Sequence, residues 1–376
     1  MHTETSAPVQ LASRLPQTFF GTPFVPNPCE HSLYRGLRAA VPLIDAALSK
    51  IVRLTGGYRV VCENEADQPM LDRFCETVPV GLTGQSLQTF TDSYLDSLLT
   101  FGNAVGEIIL NRDTLTVEGL YNGDVTEISV APGNSPVKRH YYRTEGGEQI
   151  LLPNPELIVF SSLAPPAGSV YGISLLQGLP ALSEILLRIY ECIGQNYERA
   201  GNVRYAVTYH PDADGAFSRE RAQEIAAAWQ QGMTAAQYGE VRDFVAAGDV
   251  DIKVIGAENQ LFDTNIPVRQ LLEQLLAKLS IPPFLLGLSW ATTERMSAQQ
   301  ADILTSELEY YRRQLTPVIV KIAETFMRLS GKPCQLRVEW EPINLQDETA
   351  LADARLKHAQ ARALELQNSK EEEKHV

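Results

Sequence analysis

The chain has 376 residues, of which 44% are hydrophobic and 21% charged, and a formal net charge of −14. That length fits two or three domains and a substantial core, and the composition is that of a globular protein. No apolar run approaches a membrane span, and the first 28 residues lack the basic start and apolar core of a secretory signal.

Residues 1–29 read as a flexible arm, because Pro8, Pro16, Pro23, Pro26 and Pro28 discourage regular structure. Helical spacing of Leu33, Leu37, Ala40, Leu43, Ile44, Leu48 and Ile51 predicts one helix over Ser32–Leu54, ended by Gly56-Gly57. Tyr58–Cys62 follows as a short strand and Pro69–Cys75 as a short helix with Pro69 at its first position. Thr83–Leu99 is a stronger helix that buries Leu87, Phe90, Tyr94, Leu95, Leu98 and Leu99. Short strands run from Gly106–Asn111 to Leu157–Phe160, with turn signals at Asn122-Gly123, Pro132-Gly133 and Gly146-Gly147. A second long helix is predicted to start at Gly172, with Leu182, Ile185, Leu186, Ile189, Ile193 and Tyr197 as its stripe, and to end at Gly201-Asn202. A compact unit follows: strand Arg204–Tyr209, helix Ser218–Met233, and strands Asp243–Ala246 and Asp251–Ile255.

The most informative stretch is Pro267–Phe326. Leu271, Leu272, Leu275, Leu276 and Leu279 predict a helix that Ile281-Pro282-Pro283 cannot continue, since each proline removes a donor and restricts the residue before it. Leu288–Met296 is a polar loop. Ser297 with Gln300 offers a capping box. Beyond it, Ile303, Leu304, Leu308, Tyr311, Leu315, Ile319, Ile322 and Phe326 share one face of a long helix. Pro317 lies inside that helix and predicts a kink. Gly331, Lys332 and Pro333 end it; Leu336, Val338 and Trp340 alternate as a late strand, and a charged Ala/Leu-rich helix closes the chain. The fold class is α+β.

Sites of chemistry are scarce. Glu339 and Glu341 flank Trp340, but their alternation with apolar residues reads as the wet face of a strand. His140, His210 and His358 lack ligand spacing, and no phosphate-binding glycine motif occurs, so no catalytic residue, metal or cofactor is expected. The five scattered cysteines include no CxxC, so neither a zinc site nor a disulfide framework is expected; Cys192 reads as a small core hydrophobe. Residues 1–172 carry 11 basic and 18 acidic side chains, 173–262 carry 7 and 12, 263–344 carry 9 and 9, and 345–376 carry 5 and 7. With no basic patch, sequence-specific DNA binding is disfavoured. A soluble oligomeric adaptor or scaffold, or a nucleic-acid-processing enzyme, are the alternatives from other classes.

Four segments stand in an order that resembles the portal proteins of long-tailed phages. A helix runs into Gly102-Asn103-Ala104 and a strand. The PELIVF strand of residues 155–160 precedes Tyr171-Gly172-Ile173-Ser174-Leu175-Leu176. The next helix ends at Glu198-Arg199-Ala200-Gly201-Asn202, before an α+β insert. Last come Ile281-Pro282-Pro283, Leu285-Leu286-Gly287, a polar loop and Leu315-Thr316-Pro317. Together they cover roughly residues 33–360.

The resemblance implies a wing (30–172 with 331–344), stem helices (173–202 and 263–287), a clip (203–262), a tunnel loop (288–297), a tunnel helix (298–330) and a short crown (345–376). It implies a ring, usually of twelve copies, at one capsid vertex of a virion assembled in the bacterial cytoplasm. Double-stranded DNA passes through without sequence reading. The partners implied are the terminase large subunit, the head–tail adaptor, and the major capsid protein or scaffold, with no membrane. Ser289, Trp290, Ala291, Thr292, Thr293, Glu294 and Arg295 would face the channel, Trp290 either stacking on DNA or a neighbouring loop or packing on the stem. Pro317 would kink the tunnel helix. Arg219, Glu220, Gln223 and Glu224 of the clip would meet the motor and adaptor. A conduit suits the charge balance: a ring of cations would grip phosphates where transport needs release.

Overall fold

The computed structural model describes residues 28–132, 139–145, 148–167, 169–201, 204–210, 218–237, 249–255, 264–288, 294–343 and 345. The N-terminal arm, the strand expected over 243–246 and the crown helix lie outside them. The described residues fall into two compact units, one within Met1–Ser183 and Leu272–Val376, the other within Glu184–Leu271.

The first unit opens with α1 (Pro28–Ala40) and α2 (Pro42–Thr55). The single helix expected over Ser32–Leu54 is therefore two. Pro42 holds Val41 extended at φ −121°, ψ 90° and itself starts α2. Strand β1 (Tyr58–Cys62) and α3 (Gln68–Thr77) follow, then a tight ribbon of β2 (Pro79–Val80) and β3 (Gly84–Gln85). That ribbon delays α4 (Leu87–Phe101) by four residues from the expected start. Ser86 then caps it, its side chain accepting from the Thr89 N–H at 3.1 Å.

Strands β4 (Asn103–Leu110), β5 (Val117–Gly123) and β9 (Ile158–Ser162) complete a five-stranded sheet of order β3-β2-β5-β4-β9. Only the β2–β5 pair is parallel. A separate three-stranded sheet joins β6 (Ile128–Pro132), β7 (Arg139–Glu145) and β8 (Glu148–Leu151). Its Val130 and Tyr141 pack with Val105, Val125 and Ile158 in a small second core.

The main core lies where α2 and α4 meet the sheet. Ile44, Leu48, Ile51, Leu71, Phe90, Tyr94, Leu95, Leu98, Leu99, Ile108 and Leu120 are all buried. Helix α8 (Glu294–Leu329) adds Leu304, Leu308, Leu315, Ile319 and Ile322, and its Phe326 stacks on Phe74 at 3.9 Å between ring centres. Ile303, expected on that stripe, is exposed. Strand β12 (Leu336–Trp340) pairs antiparallel with β1. Its outward residues, Arg337 and Glu339, face solvent and pair with each other at 2.8 Å.

Helix α5 (Leu179–Gly201) starts in the first unit and ends in the second; α7 (Asn265–Leu279) returns. The second unit also holds β10 (Arg204–His210), α6 (Ser218–Gln237) and β11 (Asp249–Ile255). The strands pair antiparallel from Arg204↔Ile255 to His210↔Asp249. Cys192 of α5 is exposed, which overturns its reading as a core residue. Its helix keeps only part of its surface under cover within one protomer.

His31 is a buried polar residue without a hydrogen-bond partner at either ring nitrogen among the described residues. It stands edge-on to Phe101, centroids 5.1 Å apart. Burial holds its pKa below the ordinary 6.5, against the pull of the Asp124 carboxylate. Below the unfolded pKa the unfolded chain binds the proton that the folded chain resists, so this group makes stability rise with pH through that window and fall on acidification. Urea midpoints at pH 7 and about pH 5 should differ more for the natural chain than for His31→Phe, which lacks the titrating group.

Candidate functional site

Among the described residues the candidate site is the set of segments that joins the helices. The first joint is the turn from α4 into β4. Gly102 ends α4 in the left-handed region, φ 76°, and donates to Leu98 O. Across from it runs residues 172–178. The Gly172 N–H donates to Asn103 Oδ1 at 2.9 Å, Ile173 N–H to Leu163 O at 2.8 Å, and Leu175 N–H to Leu99 O at 3.0 Å. The Ser174 hydroxyl donates to Thr100 O at 2.6 Å and accepts from the Leu176 N–H. The Leu176 and Gln177 N–H groups go to Ser174 Oγ and Ser174 O rather than to carbonyls four residues back, and Gly178 turns at φ 88°, so the helix expected from Gly172 begins only at Leu179.

The backbones approach closely enough to exclude a side chain. A Cβ on Gly172 would sit 2.3 Å from Gly102 O, and one on Gly102 would sit 2.5 Å from Ile173 C. The two motifs that the sequence places 70 residues apart are thus one joint.

The second joint follows α7. Ser280, at φ 53°, breaks the helix, and Ile281 N–H reaches back to Leu276 O at 3.2 Å. Pro283–Leu286 forms a single 3₁₀ turn closed by Gly287 at φ 75°. Ile281 and Pro282 are buried, so the proline pair seats this turn on the first unit.

Residues 289–293, with Ser289, Trp290, Ala291, Thr292 and Thr293, lie outside the described residues. Glu294 and Arg295 do not belong to the loop: they are the first two residues of α8, which is already helical at Ser297. The capping box expected there is therefore absent. An acidic residue in the first turn of a helix interacts favourably with its dipole, a start signal that competes with the serine.

Helix α8 runs through Pro317 as one element of 36 residues. One turn earlier, Arg312 is 4% exposed. Its Nε donates to Thr55 O at 2.8 Å, one of the carbonyls that α2 leaves open at its end, and its guanidinium lies 5.0 Å from the Trp340 ring centre. Glu309 completes the ion pair at 3.1 Å. Trp340 Nε1 donates to Thr316 Oγ1, which itself donates to Arg312 O. Lys321, half-buried, donates to Ile158 O at 2.6 Å, and burial lowers its pKa. Sequence reading passed over Arg312; its only signal was a cation next to the apolar stripe.

On α6, Arg219, Glu220, Gln223 and Glu224 are all exposed. Among the described residues, no group of three or more His, Cys, Asp or Glu side chains is placed to hold a metal ion. None of the described helices is long and apolar enough to cross a membrane.

With this arrangement in view, comparison with known proteins is decisive. The profile of the family described as phage portal protein matches residues 83–365, three quarters of the chain. The chain belongs to the phage portal protein family. The α+β fold agrees. The chain is similar to the neck of an empty gene transfer agent particle computed with C6 symmetry, with TM-score 0.62 and 17% identity over 92% of this chain and 93% of that one. It is also similar to the neck of a native particle computed with C12 symmetry, with TM-score 0.58 and 18% identity over 86% of this chain and 87% of that one. A chain in the virion of a native gene transfer agent particle gives TM-score 0.58 and 18% identity, covering 88% of each. No curated protein sequence matches.

The joint at Gly172 gives a stability test. Gly172→Ala places a methyl against backbone on both sides, where neither neighbour can swing away. It should lower stability by about 3 kcal/mol, the upper end for overpacking. Gly36→Ala, in α1 with nothing within 4 Å, should be neutral or slightly stabilising. Urea unfolding midpoints of the two variants check this.

Proposed function

We propose that this portal-family chain assembles into a closed ring that conducts double-stranded DNA at one capsid vertex. The observation that carries the reading is the family match over residues 83–365, which takes in the stem, clip and tunnel segments and the larger part of the wing described below. The exposed apolar side chains of α5 support it: Ile185 is 50% exposed and Tyr197 64%, with Leu187 and Tyr190 also in water in a lone protomer. A head-to-tail contact that closes on itself covers such a surface once per subunit. The C12 symmetry of one similar neck supports a count near 12.

In this reading residues 30–172 with 331–344 are the wing, the stem crosses the capsid shell, and the ring meets the capsid protein or scaffold. Helices 173–202 and 263–287 are the stem. The clip, 203–262, meets the terminase large subunit during packaging and the head–tail adaptor afterwards. Arg219, Glu220, Gln223 and Glu224 offer it a charged face. Residues 289–293 form the tip of the tunnel loop, and Pro317 bends the helix behind it, since its ring crowds the preceding turn. ATP hydrolysis belongs to the motor. The ring assembles in the bacterial cytoplasm and ends in the virion. The gene transfer agent necks favour a second form of the same reading, in which the particle is such an agent rather than an infectious phage.

Mass photometry of the purified chain at micromolar concentration tests the ring. A single large closed species is expected; a strictly monomeric or dimeric protein overturns the proposal.

The loop has its own test. Thr292→Lys with Thr293→Lys adds two cations per subunit, about two dozen in a ring, and counterion release then makes DNA retention strong and salt-dependent. Packaging should slow most at low salt while rings still form. Packaging at the natural rate across low and high salt would show that the loop does not face DNA.

A further inference from the structure

We propose that Cys62 and Cys334 form a redox-modifiable pair, closing to a disulfide under oxidising conditions and stapling β1 to the segment that enters β12. The two sulfurs lie 2.6 Å apart although 272 residues separate them in sequence. That is nearer the ~2.05 Å of a covalent S–S bond than an ordinary van der Waals separation.

The backbone sets this approach. Cys62 ends β1 opposite Leu336, and the Glu63 N–H donates to Gln335 O at 3.1 Å, so the segment carrying Cys334 is fastened on the C-terminal side of the thiol. On the N-terminal side, Gly331 turns the chain at φ 74°, and Lys332 pairs with Asp67 at 2.5 Å. The pair therefore needs only a small movement to close.

The two thiols differ in access. Cys62 is 4% exposed, while Cys334 is partly open. An external low-molecular-weight disulfide, such as oxidised glutathione, meets Cys334 first. The Cys334 thiol gives its proton to water and its thiolate attacks one sulfur of the reagent, releasing one small thiol. Cys62 then loses its proton and attacks Cys334 Sγ, releasing the second. Two protein thiols are oxidised and one external disulfide is reduced to two thiols. Burial and the neighbouring Cys62 raise the Cys334 pKa, which keeps the exchange slow.

The bond would close a loop of very large span and so restrict the unfolded chain strongly. In a reducing cell the pair stays open. Closure after a particle leaves that cell is a matter of timing that rests on the portal reading; the bond itself does not, and is measured on the free chain whatever its oligomeric state.

The purified full chain is incubated with excess oxidised glutathione and compared with the dithiothreitol-reduced protein. Intact mass should fall by two hydrogens, and a non-reducing peptide map should join the Cys62 and Cys334 peptides. The melting temperature should rise by several degrees, reverse with dithiothreitol, and not rise in Cys334→Ser. The proposal is overturned if both thiols still alkylate fully after long oxidation, or if the linkage runs through Cys75 or Cys192. Glutathione that stays on Cys334, or a bond that leaves the melting temperature unchanged, overturns it equally.

Discussion

At Gly102 and Gly172 two backbones meet with no space for a Cβ on either residue. Much else in the first unit follows from that contact. It lets Asn103 accept the Gly172 N–H, it places Ser174 over the end of α4, and it fixes where α5 can start. The start of α5 rests on a firm base. Here the base is made of main-chain hydrogen bonds to distant partners, which hold direction better than side-chain packing alone.

A second fastening acts on α8. Arg312 fills an open carbonyl at the end of α2, and Trp340 covers its guanidinium while binding Thr316. The buried charge is tolerated because it has both a carboxylate and a carbonyl partner. These contacts tie helix, strand and helix together one turn before Pro317.

Charge divides the chain. The balance is acidic over residues 1–262 and even over residues 263–344. In the conduit reading proposed above, an evenly charged segment near DNA avoids the strong, salt-dependent grip that a ring of cations would create. In that reading specificity falls to protein partners rather than to base sequence.

Much of this was legible in the sequence because its signals are local. Gly102-Asn103-Ala104, Tyr171-Gly172 and Ile281-Pro282-Pro283 mark joints because glycine and proline restrict the backbone wherever they occur. The stripe of α8 is readable because burial on one side imposes a helical period. One error passed over a local signal, the proline at 42 that splits α1 from α2; others came where a distant contact overrode a local preference. Gly172, Ile173 and Leu175 give their N–H groups to partners across the fold in a stretch expected to be helical; Gly84 and Gln85 pair with β2 before α4 begins. Cys192 sits on an apolar helix and yet faces solvent, because period alone does not say which face a single protomer covers. By itself the sequence determined the elements, the joints and the family, since these rest on interactions between near neighbours and on residues with fixed backbone demands. Only the tertiary structure decided that Gly102 meets Gly172, that Arg312 caps α2, and that Cys62 lies against Cys334. Those meetings depend on how strands and helices pack over hundreds of residues, and nothing in a local window carries that information.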